Sequence, residues 1–291
     1  MKKNTLRELA KNPNFISGIY NYCDRWCERC QFTSRCFLYA TEQDDPDLAD
    51  PETRDISNEK FWRKMQTIFQ ETAELISEWA AEAGVDLDAV DSQEAMAQHD
   101  REMKAAEESE LSQAARDYAF TVQDWFKKEF ADDERLTEQI RKYSDTGEEA
   151  LTAENAIEVI RWYQFFIAAK TFRAMTGADS FNLDDAEDDE LLPDIFCSAG
   201  EKDDEELDDA EIMARSDRMD ANGSAKVTLI AVDRSISAWR SLQLSLPAKM
   251  DSIKPLLIDL ELLRRSIEAR FPRARDFVRP GLDEVLSDFV S

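Results

Sequence analysis

Between residues 58 and 84 a stripe recurs at steps of mostly three and four: Phe61, Met65, Ile68, Phe69, Thr72, Leu75, Ile76 and Trp79. That spacing predicts one face of an α-helix. Ser57 reads as its N-cap, with Lys60 where a capping box would want Glu. Gly84 is a plausible stop. Residues 86–110 are polar and rich in Ala, Glu and Gln, a solvated helix or a loosely packed connection. The stripe returns with Leu111, Ala114, Ala115, Tyr118, Val122, Trp125 and Phe126. A short helix is expected at 134–143, before Gly147. The next helix, 148–176, is the most apolar and is expected at the centre of a bundle. Two more follow, 224–245 with Val227, Ile230, Ile236 and Trp239, and 251–270 with Ile253, Leu256, Leu260, Leu263 and Ile267. Pro255 is expected to be tolerated because it falls in the first turn. Pro272 stops that helix, and a short one is expected at 282–290. Seven Gly and eight Pro in 291 residues leave few turns for a many-stranded fold.

The fold class expected is therefore all-α: an antiparallel bundle of about five long helices, preceded by a small cysteine-bearing module. The boundaries fall at 1–40 for that module, 41–57 for an acidic linker with two prolines, 58–176 for the first part of the bundle, 177–212 for an acidic insert and 213–291 for the second part. Residues 179–211 hold sixteen Asp or Glu and a single Lys, too few apolar groups to offset their ordering entropy.

Charge changes the picture next. Lys plus Arg is 36 and Asp plus Glu is 63, a formal net of −27. Such a chain repels phosphate at long range, which argues against a nucleic-acid partner. No apolar run approaches the roughly 20 residues of a membrane span. Met1–Ala10 lacks an apolar core, so no secretory signal is expected and the cytoplasm is the expected compartment. A protein partner stays open. Residues 1–36 depart from the rest, with seven bases against three acids, net +4.

That basic island carries the candidate chemistry. Cys23, Cys27, Cys30 and Cys36 form C-x3-C-x2-C-x5-C, and Cys197 lies apart in the acidic insert. In a reducing compartment such density reads as metal ligation rather than disulfides. On a continuous helix the first three would share a face, but seven residues rise about 10.5 Å. Sulfurs around one zinc ion lie roughly 3.8 Å apart, each about 2.3 Å from the metal. The chain must therefore unwind near Cys27–Cys30 and turn back by Cys36. A cubane cluster separates its thiolates more and demands less contortion. No Gly or other small residue follows Cys27 or Cys30 to let amides reach the sulfurs, which leans toward a cluster. Arg25, Arg29 and Arg35 would favour thiolates, and Trp26 is placed to shield the centre.

The run C-x2-C-x5-C followed by Phe37, Leu38, Tyr39 and Ala40 resembles the ligand segment of WhiB-like proteins. Its spacing also resembles the cluster loop of endonuclease III-type glycosylases. Both resemblances imply a [4Fe-4S] cluster on Cys27, Cys30 and Cys36, with Cys23 as fourth ligand. They cover about fourteen residues, and the Gly-rich turn and basic tail of the first family and the helix–hairpin–helix of the second are absent. No DNA-related function is carried over. The first three cysteines also match the radical-SAM spacing, which needs a strand–helix alternation this chain lacks.

Three functions follow. The leading one is a [4Fe-4S] protein with a structural, redox-sensing or electron-transfer role, and no catalytic residue is assigned. The second is a helical scaffold stapled by Zn2+ on the same four cysteines. The third is a magnesium-dependent phosphohydrolase built on carboxylate pairs such as Glu71 with Glu74, Glu78 with Glu82, or Glu154 with Glu158, which would have to face inward. The single histidine, His99, sits in a polar stretch and reads as a surface residue, which removes most hydrolytic triads and di-iron sites. Trp62, Trp79, Trp125, Trp162 and Trp239 are expected to anchor the core. Arg264, Arg265, Arg270, Arg273, Arg275 and Arg279 are expected to balance the bundle's own acids.

Overall fold

Helices dominate because periodic apolar seams run through a sequence poor in chain breakers. The computed structural model describes residues 9, 11–43, 50–53, 58–84, 86–87, 92–130, 153–177 and 209–283, with no strand among them. These described residues hold seven α-helices: α1 (Phe37–Gln43), α2 (Glu59–Ala83), α3 (Ser92–Glu108), α4 (Glu110–Phe130), α5 (Ala153–Thr176), α6 (Asp209–Ser245) and α7 (Met250–Arg270). The chain divides into two compact units, Met1–His99 and Asp100–Ser291. The helix expected at 134–143, Cys197, most of the acidic insert and nearly all of 282–290 lie outside the described residues.

In the first unit, α2 begins one residue later than the expected Ser57 cap. Asn58 does the capping, its Oδ1 accepting from the Lys60 N–H at 2.9 Å. The Lys60 ammonium also pairs with Asp50 at 3.0 Å and Glu52 at 2.6 Å, tying the 3₁₀ turn Pro51–Thr53 to the first turn of the helix. Gly84 ends α2 in the left-handed region at φ 71°. An added Cβ there would meet open space, so the backbone conformation explains the glycine. The stripe that predicted this helix is mostly exposed. Ala80 is its only buried residue, and Trp62 and Trp79 are 58% and 60% exposed, so neither anchors a core.

In the second unit, Ser109 separates α3 from α4. Its Oγ accepts the Ser112 N–H at 3.2 Å and so caps α4. Polar α3 is helical rather than irregular, and Ala106 is buried on it. The helices α4, α5, α6 and α7 close into a ring in which each neighbour runs antiparallel. Arg173 grips Asp220 with two bonds of 2.8 Å between α5 and α6. Arg240 meets Glu261 between α6 and α7, and Trp125 Nε1 donates to Ser252 Oγ at 3.0 Å between α4 and α7. Phe120 and Phe165 stack edge-on between α4 and α5. This is the four-helix arrangement that short apolar seams favour.

Ala153, Ala156, Ile160, Tyr163, Ile167, Thr171 and Ala174 form the buried seam of α5. Each fully buried isoleucine there contributes about 1.5–3 kcal/mol. Opposite it, α6 starts fifteen residues before the expected helix and contains Gly223. A mid-helix glycine costs about 1 kcal/mol, offset here by close packing of Ala221, Ser224 and Ala225. Trp239 is fully buried against Trp125 and Phe126, with ring centroids 4.9 and 6.1 Å away. Pro255 lies in the second turn of α7 rather than the first. It is exposed, and the helix forgoes one backbone donor there. Beyond α7, Phe271, Ala274 and Phe277 are buried, while Arg275 pairs with Asp233 and Glu268. Arg264 and Arg279 likewise pair with Asp233 and Asp283, so at these three positions the late basic cluster balances local acids.

Candidate metal centre

The cysteine segment is built from tight turns, not from a helix. Gly18 takes φ 70° and opens a turn closed by the Asn21 N–H to the Gly18 carbonyl at 2.9 Å. Cys23 follows, its thiol donating to the Tyr20 carbonyl at 3.6 Å. Asp24 then accepts the Trp26 N–H at 3.2 Å, an Asx turn that carries Arg25 through φ 58°. Two 3₁₀ turns come next, Cys27–Arg29 and Thr33–Arg35. Cys30 ends the first and Cys36 ends the second, both with extended backbone. Cys36 also opens α1, its sulfur accepting the Tyr39 N–H at 3.5 Å. The chain folds back on itself where the Ile16 N–H bonds the Arg35 carbonyl at 3.0 Å and Arg35 Nε bonds the Asn14 carbonyl at 3.3 Å. The segment is thus unwound across Cys27–Cys30, and Arg35, just before Cys36, is tied back to Asn14 and Ile16.

Backbone amides reach three of the sulfurs. The Arg25 N–H bonds Cys23, the Phe32 N–H bonds Cys30 at 3.4 Å, and the Tyr39 N–H bonds Cys36. This corrects the expectation drawn from the absence of small residues. Arg25 itself adopts the left-handed conformation that a glycine would otherwise supply. The lean toward a cluster on that ground therefore falls away.

All four thiols are free and half-buried. Burial holds the Cys23 thiol above its ordinary value, against the Arg25 amide and charge, with Asp24 and Cys36 reinforcing burial. Cys27 is pushed up to about 11, by burial first and then by the negative charges of Glu42, Cys23, Cys36 and Cys30. As their side chains stand, no three His, Cys, Asp or Glu among the described residues converge closely enough to grip a single ion.

Within this segment Ile19, Tyr22 and Trp26 are buried. The Arg29 guanidinium covers Trp26 at 3.9 Å from the ring centroid, a cation–π contact that the sequence did not signal. Phe15 meets Phe37 edge-on at 6.0 Å. Three buried side chains are few for a segment this short, and segments of this size ordinarily need a covalent or metal staple.

Glu154 and Glu158 are both exposed on α5, and Glu74, Glu78 and Glu82 are exposed on α2. The inward pairing that a magnesium site requires is absent at these positions. His99 is exposed on α3, as expected of a surface residue. No helix among the described residues is long and apolar enough to cross a membrane. No protein-family model matches the chain, and neither does any curated protein or solved structure.

Proposed function

We propose that Cys23, Cys27, Cys30 and Cys36 bind one metal centre that fastens the N-terminal module, in a reducing, cytoplasmic setting. The observation that carries this reading is the set of amide–sulfur bonds at Cys23, Cys30 and Cys36, donors that stabilise charge on metal-bound thiolates. The donor set is soft sulfur throughout, which suits zinc or an iron–sulfur cluster and not magnesium. A [4Fe-4S] cluster is the first reading, because the C-x2-C-x5-C spacing with Cys23 upstream resembles cluster-ligand segments and the wider corners of a cubane demand less contortion of so short a segment. When bound it would supply a one-electron couple. With four protein ligands it leaves no iron open to substrate, so the role is structural, redox-sensing or electron-transferring.

Zinc is the second reading, favoured by a different observation. A sulfur accepting from the amide two residues on, at both Cys23 and Cys30, gives tight turns that suit one small ion. Anaerobic purification with metal and sulfide analysis decides between them. The first reading expects a brown protein with about four iron and four sulfide per chain. A colourless protein with one zinc refutes the cluster and keeps the site. A metal-free protein whose Cys27→Ser variant melts identically refutes both.

A further inference from the structure

In the turn that carries Cys27 and Cys30, side chains as well as backbone close the loop. The Arg29 N–H donates to the Trp26 carbonyl at 3.1 Å, and the Cys30 N–H to the Cys27 carbonyl at 3.2 Å. A short 3₁₀ turn is held weakly by such bonds, whose geometry is poorer than in an α-helix. Over the same turn the Arg29 guanidinium lies 3.9 Å from the centre of the Trp26 ring. Trp26 is buried, while Arg29 itself is exposed. A long exposed side chain is therefore folded back over a buried one, by attraction between a cation and an aromatic face.

The positions of the two residues give this contact its consequence. Trp26 immediately precedes Cys27, and Arg29 immediately precedes Cys30. Drawing the first pair together restrains the separation of the second. Trp26 is anchored from the other side as well, its N–H donating to Asp24 Oδ1 at 3.2 Å. Arg25 and Arg35 serve other ends. Arg25 carries the left-handed bend, and Arg35 Nε donates to the Asn14 carbonyl.

We propose that Arg29 and Trp26 are positioning residues for the four-cysteine centre, their stacked pair holding the Cys27–Cys30 turn closed before metal arrives. This rests on the reading of Cys23, Cys27, Cys30 and Cys36 as metal ligands, and adds what prepares two of them. Metal then meets a turn already formed, and less of its binding free energy goes into ordering the chain. Without the stack, that ordering falls to the metal. A lysine at position 29 keeps a cation for the ring, whereas a methionine keeps only the bulk of the side chain.

Titration of the reduced, metal-free full chain with Co2+ tests it, read by thiolate-to-cobalt absorption and by competition with a chelator. Arg29→Met weakens Co2+ binding roughly two- to fivefold, the size of one exposed cation–π contact. Arg29→Lys stays within about twofold of the parent. In a Trp26→Leu background Arg29→Met has no further effect, as coupled positions require. Lys11→Met removes an equal charge from an exposed position of the same segment and leaves the affinity unchanged. Arg29→Met binding as tightly as the parent overturns the clamp while the cysteine reading stands. An equal loss in Lys11→Met overturns it too, by assigning the effect to net charge. So does an Arg29→Lys chain as weak as Arg29→Met, or an Arg29→Met loss that persists undiminished without Trp26. Should Trp26→Leu fail to fold, the comparison of Met with Lys at the exposed position 29 decides by itself. A parent without thiolate-to-cobalt absorption overturns the cysteine reading and the clamp with it.

Discussion

The backbone N–H of Arg25 bonds the sulfur of Cys23, and Arg25 holds φ 58° as it does so. A left-handed arginine costs roughly 1–2 kcal/mol relative to glycine. Arg25→Gly is therefore expected to keep the amide–sulfur bond and the metal content of the purified protein. Arg25→Pro removes the donor and cannot adopt the positive φ. It is expected to lose metal. Elemental analysis of the two variants checks this, and equal metal in both would sever the turn from the site.

A second relationship lies in the helical core. Trp239 Nε1 donates to Tyr118 Oη at 3.0 Å, with both side chains almost wholly buried. Tyr118→Phe leaves the indole donor without its acceptor, at a cost of about 1–3 kcal/mol. Urea unfolding should show a lower midpoint and an unchanged slope. An unshifted midpoint would mean that this bond does not stabilise the bundle.

The same tyrosine makes stability depend on alkali. Burial holds its hydroxyl well above the ordinary value, against the hydrogen bond from Trp239 Nε1, and the charge of Asp259 adds to burial. The unfolded chain releases this proton near pH 10 while the folded chain keeps it. Its contribution is present in full below that pH and is lost as pH rises through the raised folded value. Unfolding measured from pH 8 to 11 should therefore fall off less steeply in Tyr118→Phe than in the parent. Identical slopes would remove Tyr118 as the cause.

Gly177 offers a test of close packing. A Cβ added there would stand 2.7 Å from the Asp217 carbonyl oxygen and 3.2 Å from Ala221 Cβ. Glycine to alanine near a helix end ordinarily stabilises by up to about 1 kcal/mol. Here the expected sign is reversed, a loss of about 1–3 kcal/mol as α5 and α6 are forced apart. A gain in melting temperature would show that the two helices part at little cost.

What the sequence revealed, and what it concealed, divides along physical lines. The seams of α5 and α7 were legible because Ile160, Ile167, Leu256 and Leu263 repeat at helical spacing and are buried as that spacing implies. The stripe of α2 was equally legible as a helix. Periodicity marks a face, however, and not what covers it, so Trp62 and Trp79 read as core. Asn58 and Ser57 are both good caps, and only the local turn decides between them. In the cysteine segment, spacing alone showed that the helix must break. It could not show that Arg25 would take a glycine's conformation, because that follows from the Asp24 turn around it.

The ring of helices also bears on how the protein is made. Trp125 finds its hydrogen-bond acceptor, Ser252, 127 positions further along the chain. At about 5–20 residues per second, a ribosome takes roughly 6–25 s to span that interval. For that time the nascent α4 has no α7 to close against, and its indole and phenyl rings stay available to chaperones. Translation speed across this stretch thus sets how long the newborn chain is open to aggregation.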